Sequence, residues 1–189
     1  MSSPPSPLRT PQGVHDRQRL AAVRRLTSLH RPPSGHFDRI TRLAADLLDA
    51  PIGLLTLVDS DRQFFVSSYG LDEPLRSARQ TPLDHSICQY VVASKQSLVV
   101  DDLSADAKLK DHPAVEELGV AAYAGSPVAT REGHTVGATC VLDFVPRTWA
   151  DDKVAILEDL AAIAADEIRL ADLEWRAEFE QEWRGIERR

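Results

Sequence analysis

The chain contains no asparagine, so any motif that requires one is absent from it. It has two cysteines, Cys88 and Cys140, too few for the disulfide framework of a small secreted domain. No apolar run approaches the length of about 20 residues that a membrane span needs, and the opening MSSPPSPLRT has no apolar core of the signal-peptide kind. The expected location is therefore the cytoplasm, away from membranes. Positive charge is in deficit as well: 22 Lys and Arg against 29 Asp and Glu leave a formal net charge of −7. A nucleic-acid binder needs a basic face to neutralise phosphates, so nucleic acid is not an expected partner.

What is present suffices for one ordinary domain with extensions in 189 residues. A core of about 140 residues buries roughly two-thirds of its unfolded surface and needs neither metal nor disulfide. Residues 1–13 have the Ser/Pro-rich composition of a disordered tail. Leu20, Val23 and Leu26 form an apolar stripe that predicts a helix over 15–30, broken by RPPSGH. A second helix carries Phe37, Ile40, Ala44 and Leu47 on one face and stops before Pro51.

The pattern then changes to strands. IGLLTLVD is apolar on both faces, as expected of a central strand, and QFFVSSYG completes a hairpin across the turn DSDR. TPLD reads as a helix start, with Thr81 or Asp84 as the cap and Pro82 in the first turn, continuing into HSICQYVV. SLVVDD is a short strand, followed by the irregular LSADAKLKDHPAVEELG. VAAYAGSPVAT and TVGATCVLD flank REGH as a second hairpin. In its last strand Val136, Ala138, Cys140 and Leu142 are the expected core face. Gly137, Thr139, Val141 and Asp143 form a small, mixed face suited to a cavity.

From Asp151 the chain is one long helical pattern. Leu157, Ala161, Ala164, Ile168, Ala171 and Trp175 recur at steps of four and three, and Ile156, Leu160 and Ile163 form a parallel stripe. One helix cannot bury both against a small sheet. One stripe packs on the domain and the other meets a partner helix, either the N-terminal helix or a second subunit; the heptad-like seam is the expected homodimer interface, with Phe179 and Trp183 extending apolar character into the charged tail 176–189.

The order of elements, with FDRITRLAADLLDAPIGLLTLVDSDRQFFVSSYGL, HSICQYVV, LVVDDLSAD, YAGSPV and VGATCVLD, resembles the GAF domain family of cytoplasmic sensor modules. The resemblance implies a domain over 14–175, with its core at 37–150 and a C-terminal helix from 151. It implies an α+β fold: an antiparallel sheet of five or six strands, terminal helices on one face and a roofed ligand pocket on the other. The subset of the family that binds cyclic nucleotides carries an N-K-F-D-E motif, which a chain without asparagine cannot contain. No output domain follows the final helix, so the output is expected on a partner protein acting in trans or in a longer chain. The expected function is a non-catalytic sensor in bacterial signalling. The alternatives are an interaction module with a closed pocket and a thiol enzyme such as a free methionine sulfoxide reductase.

The ligand-facing candidates are Phe65 and Tyr69, placed on one strand face, Tyr123, and His85, Cys88, Asp101 and His112. Aromatics with a few polar groups are the usual composition of a small-molecule pocket, although aromatics at this spacing also build plain core. His85 and Cys88 share a helical face, but zinc needs two further ligands, drawn from Cys140, His112 and Asp101 only if the fold gathers them; no metal is expected. Cys88 reads as a buried structural cysteine or as a redox thiol near a helix start. Haem would need His85, His112 or His134, each of which an ordinary capping or surface role explains, so no cofactor is named.

Overall fold

The structure, a computed structural model, describes residues 10–28 and 35–187, with side chains through Leu173. Residues 1–9 of the predicted tail (1–13) and the side chains of Trp175, Phe179 and Trp183 lie outside the described residues. The elements are α1 (Arg17–Ser28), α2 (Gly35–Leu47), β1 (Ile52–Val58), β2 (Arg62–Tyr69), α3 (Leu75–Ala78), β3 (Gln80–Pro82), α4 (Cys88–Ser94) and β4 (Leu98–Val100). They continue with α5 (Pro113–Glu116), β5 (Ala122–Ala129), β6 (Thr135–Asp143) and α6 (Asp151–Glu187).

The strands make one antiparallel sheet in the order β3-β2-β1-β6-β5-β4. Every residue of β1 is buried, which is why IGLLTLV lacks the polar alternation of a half-exposed strand. One face carries Leu55, Leu57, Val128 and Val141 into a core with α1, α2 and α6. The other carries Ile52, Leu54, Phe65, Tyr123 and Cys140 against α4, α5 and the segment between β4 and β5. This is the expected α+β sandwich.

Four local expectations are corrected. Thr81 and Pro82 do not open a helix: Pro82 has ψ 153°, Thr81 pairs with Gln63, and the helix begins only at Cys88 after a tight turn over Leu83–His85. That extended proline is what supplies the sixth strand. On β6 the cavity lies on the face assigned to core: Cys140 and Leu142 line it, while Val141 packs under the helices. Val136 also leaves that face, because the β5–β6 register shifts between Val128 and Ala129. On α2, Leu47 is 41 % exposed and Leu48 is buried in its place.

The fourth correction concerns α6. Leu157, Ala161, Ala164 and Ile168 are at most 5 % exposed and belong to the domain's own core, so they are not free to form a dimer interface. Ala171 is half-buried. Among the described residues of α6, the large apolar side chains left outside are Ile163, Leu170 and Leu173, exposed by 49, 54 and 49 %. Small residues in the seam let α6 approach the sheet closely, which a dimer seam of larger side chains would not need.

The closest approach beneath the helices is at Gly53, where an added Cβ would sit 2.1 Å from the Thr41 carbonyl oxygen of α2. That obstacle is backbone and cannot swing aside. Gly53→Ala is therefore expected to cost about 1–3 kcal/mol through displacement of α2, read as a lower urea midpoint at unchanged slope.

Candidate functional site

Between the roof and the sheet lies a cavity of about 280 Å³. Its floor is Ile52, Leu54, Phe65, Tyr123, Cys140 and Leu142, and its roof includes Ile87, Cys88, Ala114, Leu118 and Val120. Asp72, Glu73 and Phe144 mark the rim; the two carboxylates are exposed, and Phe144 is 51 % exposed. Gln63, Thr81 and His85 add polar groups to an otherwise apolar wall. The Thr81 hydroxyl is buried without a protein partner and is available to a ligand. Among the described lining residues there is no Lys or Arg.

Of the seven residues singled out from sequence, the structure brings four to this cavity: Phe65, His85, Cys88 and Tyr123. Tyr69 does not join them. A bulge at Val66 turns the strand over: Phe65 faces the cavity, while Val66 packs on the helical core and Ser67 bonds Thr41 of α2. Tyr69 is left 41 % exposed. Asp101 is a structural tie, its carboxylate accepting from the Trp149 amide at 3.1 Å and its carbonyl from the Arg147 amide at 2.9 Å. His112 caps α5: its Nδ1 accepts from the Ala114 amide at 3.1 Å, and its ring meets Tyr90 edge-on. It is fully buried but does not line the cavity. His134 is half-buried in the β5–β6 turn, away from the cavity. Among the described residues no group of three His, Cys, Asp or Glu side chains is arranged to hold a metal ion.

Sequence reading missed Gln63 and Thr81. Gln63 stands two residues from Phe65 on the same strand face, a spacing that could have found it. Thr81 was hidden by its assignment as a helix cap.

The two cysteines, far apart in sequence, meet at the cavity's inner end. Cys88 Sγ lies 3.6 Å from Cys140 Sγ, and the Tyr123 hydroxyl donates to Cys88 at 3.2 Å. The hydrogen bond from Cys140 lowers the Cys88 pKa, against the opposing effect of burial and with further help from the Thr56 and Tyr123 hydroxyls. Cys140 is held well above an ordinary thiol, first because it gives its proton to that bond and then by burial. Burial likewise raises Tyr123. The pair thus favours one thiolate, on Cys88, and resists a second.

His85 forms a clasp at the rim, with Nδ1 2.7 Å from Asp84 and Nε2 3.0 Å from Glu117 at the end of α5. Partial burial disfavours the charged ring, but the bonds to Glu117 and then Asp84 outweigh it and raise the pKa above 6.5. That clasp stabilises the fold fully below 6.5, and the contribution fades as pH rises through the folded value. His112 behaves oppositely: burial, then the nearby His85, lowers its pKa to about 4.

The sequence matches the GAF domain family over residues 34–168. It is 36% identical over 165 residues to a cyclic di-GMP phosphodiesterase of Pseudomonas aeruginosa, covering 86% of this chain and 26% of that protein. The chain thus spans about a quarter of that relative's length. Among solved structures it is similar to the GAF domain of a phosphoenolpyruvate-protein phosphotransferase from Coxiella burnetii. That match has a TM-score of 0.62 and 16% identity, over 84% of this chain and 96% of that one. A free methionine-R-sulfoxide reductase from Neisseria meningitidis, in complex with its substrate, matches with a TM-score of 0.58 at 15% identity, over 81% and 88% of the two chains. At these identities the structural likeness speaks for the fold alone.

The buried His112 generates a prediction. Its unfolded form takes a proton near 6.5 and its folded form only near 4, so stability falls as pH drops through that window. The loss reaches up to about 3 kcal/mol at the acid end. His112→Asn keeps a capping acceptor but does not titrate, and is expected to flatten this limb in urea unfolding measured from neutral pH to about pH 4.

Proposed function

The chain belongs to the GAF domain family, and from that premise we propose that it is a non-catalytic sensor module that takes a small molecule into the roofed cavity. The observation that carries this reading is the cavity itself: concave, walled by apolar side chains, and provided with a few convergent polar groups including the unpartnered Thr81 hydroxyl. A volume of about 280 Å³ stands at the small end of ligand sites. With carboxylates at the rim and no Lys or Arg among the described lining residues, the fitting ligand is uncharged or weakly cationic. A cyclic dinucleotide, with its two phosphates, does not suit this wall, so the substrate of the Pseudomonas relative is not the proposed ligand. The likeness to that relative instead supports a regulatory place beside a signalling output, within a longer chain or on a partner protein.

The route from cavity to helix is short. Ala121 and Asp143 join β5 to the end of β6, and Leu103, where the roof segment begins, donates to the Ala121 carbonyl. Asp101 holds the Arg147 and Trp149 amides just ahead of α6. A ligand that binds one roof arrangement more tightly than another biases the start of α6 through these ties; equal binding to both would do nothing. The exposed Ile163, Leu170 and Leu173 stripe is the proposed surface for a second copy of the chain.

Native mass spectrometry of the protein as purified is expected to show added mass that is lost on denaturation. Leu118→Trp, which fills the cavity from a half-buried roof position, is expected to abolish it. A ligand at about a hundred times its Kd would stabilise the wild type by about 2.7 kcal/mol and leave the variant unchanged. Added mass retained by the variant would refute the cavity as the site, and multiple turnover of free methionine sulfoxide with a dithiol reductant would refute the non-catalytic reading.

The helix stripe has its own test. Ile163→Arg with Leu170→Arg is expected to convert a dimer into a monomer in light scattering, with little change in monomer stability because both side chains are exposed. A monomeric wild type would remove the dimer from the proposal.

A further inference from the structure

Both cysteines are free and buried, both line the cavity, and they sit at van der Waals contact with a hydroxyl aimed at one of them. We propose that Cys88 and Cys140 are a reversible redox site, oxidised by a hydroperoxide entering the cavity to a disulfide within one chain. The proposal stands whether or not the cavity also takes a metabolite.

The geometry separates the two sulfurs. Cys88 accepts the hydrogen bond of the Tyr123 hydroxyl, and contact with Cys140 lowers its pKa further, so Cys88 is the sulfur that attacks. Its sulfur forms a bond to the distal peroxide oxygen as the O–O bond breaks, and the departing oxygen leaves as water or an alcohol after taking a proton. Cys88 is then a sulfenic acid, oxidised by two electrons, and the peroxide is reduced by two. Cys140, held protonated until this point, attacks the Cys88 sulfur. The S–S bond forms, the S–O bond breaks, and the released hydroxide takes the Cys140 proton and leaves as water. An external dithiol restores both thiols by exchange.

Closure requires the sulfurs to move from 3.6 Å to about 2.05 Å. Tyr123 then loses the acceptor it has in the reduced state. Its ring lies over Gly125, where an added Cβ would meet the Tyr123 hydroxyl at 2.2 Å and the ring carbons behind it. The hydroxyl is thus aimed by the backbone and not only by its bond to sulfur.

The absence of Lys and Arg from the described cavity wall favours a hydroperoxide over an amino-acid sulfoxide, whose carboxylate would go unpaired. A small uncharged oxidant meets no such penalty in reaching the buried sulfurs from the rim at Asp72, Glu73 and Phe144.

The test uses the reduced full chain, hydrogen peroxide and alkylation under denaturing conditions. The expected product is lighter than the reduced chain by two hydrogen atoms, has no alkylatable thiol, yields a Cys88–Cys140 linked peptide, and is reversed by dithiothreitol. Its rate should exceed that of glutathione at the same pH by at least about tenfold. In Cys140→Ser, Cys88 is expected to stop at a sulfenic acid that dimedone traps; in Cys88→Ser, Cys140 should react at least about tenfold more slowly than Cys88 does in the wild type. The wild-type measurement stands even if a variant fails to fold. Thiols that stay alkylatable, disulfides only between chains, or a rate no faster than glutathione's would each overturn the proposal.

Discussion

Burial of β1 and β6 on both faces is the constraint from which the rest of the molecule follows. β1 has no exposed residue, and β6 has only Leu142 even half-exposed. A sheet of this kind needs two covers, and the chain makes them from different material. The terminal parts supply α2 and the long α6, whose regular faces pack closely on Leu55, Leu57 and Val141. The middle of the chain supplies short pieces: a four-residue α5, a seven-residue α4 and the connections around them. Long helices fill space against a sheet efficiently. Short ones joined by turns do not, and the unfilled volume beneath them is the cavity.

Close backbone approach then decides where chemistry sits within that volume. Gly53 brings α2 down onto the sheet, and Gly125 clears the opposite face so that the Tyr123 ring can lie along it. The β5–β6 register pairs Gly125 with Cys140 and Tyr123 with Leu142, so aromatic, glycine and thiol form one small neighbourhood on the cavity floor. Cys88 arrives from the roof at the first residue of α4. Its distance to Cys140 is therefore a distance between the roof and the sheet, and a change at the sulfurs is felt by both.

The sequence made the fold legible because its evidence is periodic. Both hairpins, the two-sided β1 and the long last helix follow from spacing and composition, and the sandwich is what the family resemblance carried by their order and wording implies. What stayed hidden were the places where one residue shifts a period. The bulge at Val66 removes Tyr69 from the Phe65 face, and the irregularity after Val128 moves Val136 off the Cys140 face. Neither leaves a mark in hydropathy. The stretch TPLD was ambiguous for a different reason, since proline suits both a first helical turn and an edge strand, and only pairing with Gln63 selects the strand. On α6 both stripes were visible, but their allocation depends on how closely the helix meets the sheet. Ala161 and Ala164 permit that approach and larger side chains would not.

The same allocation separates what senses from what associates. The seam holding α6 to the domain contains Leu157 and Ile168, and the face left outside contains Ile163, Leu170 and Leu173. An apolar ligand surface and an apolar helix surface are thus on opposite sides of one sheet, with no side chain shared between them. One route between them runs along the edge, where Asp101, Asp143, Arg147 and Trp149 gather. Arg147 pairs with Asp143 at 2.9 Å, donates to the Leu48 and Asp49 carbonyls, and stacks against Trp149. Trp149 in turn donates its indole N–H to the Val100 carbonyl at the end of β4. This junction touches the end of α2, the last residue of β4 and the start of α6. A movement of the roof segment that begins at Leu103 can therefore reach the helices by loading these polar ties, so on the proposed reading their stiffness governs how much of the ligand's differential binding energy arrives at α6 by this route.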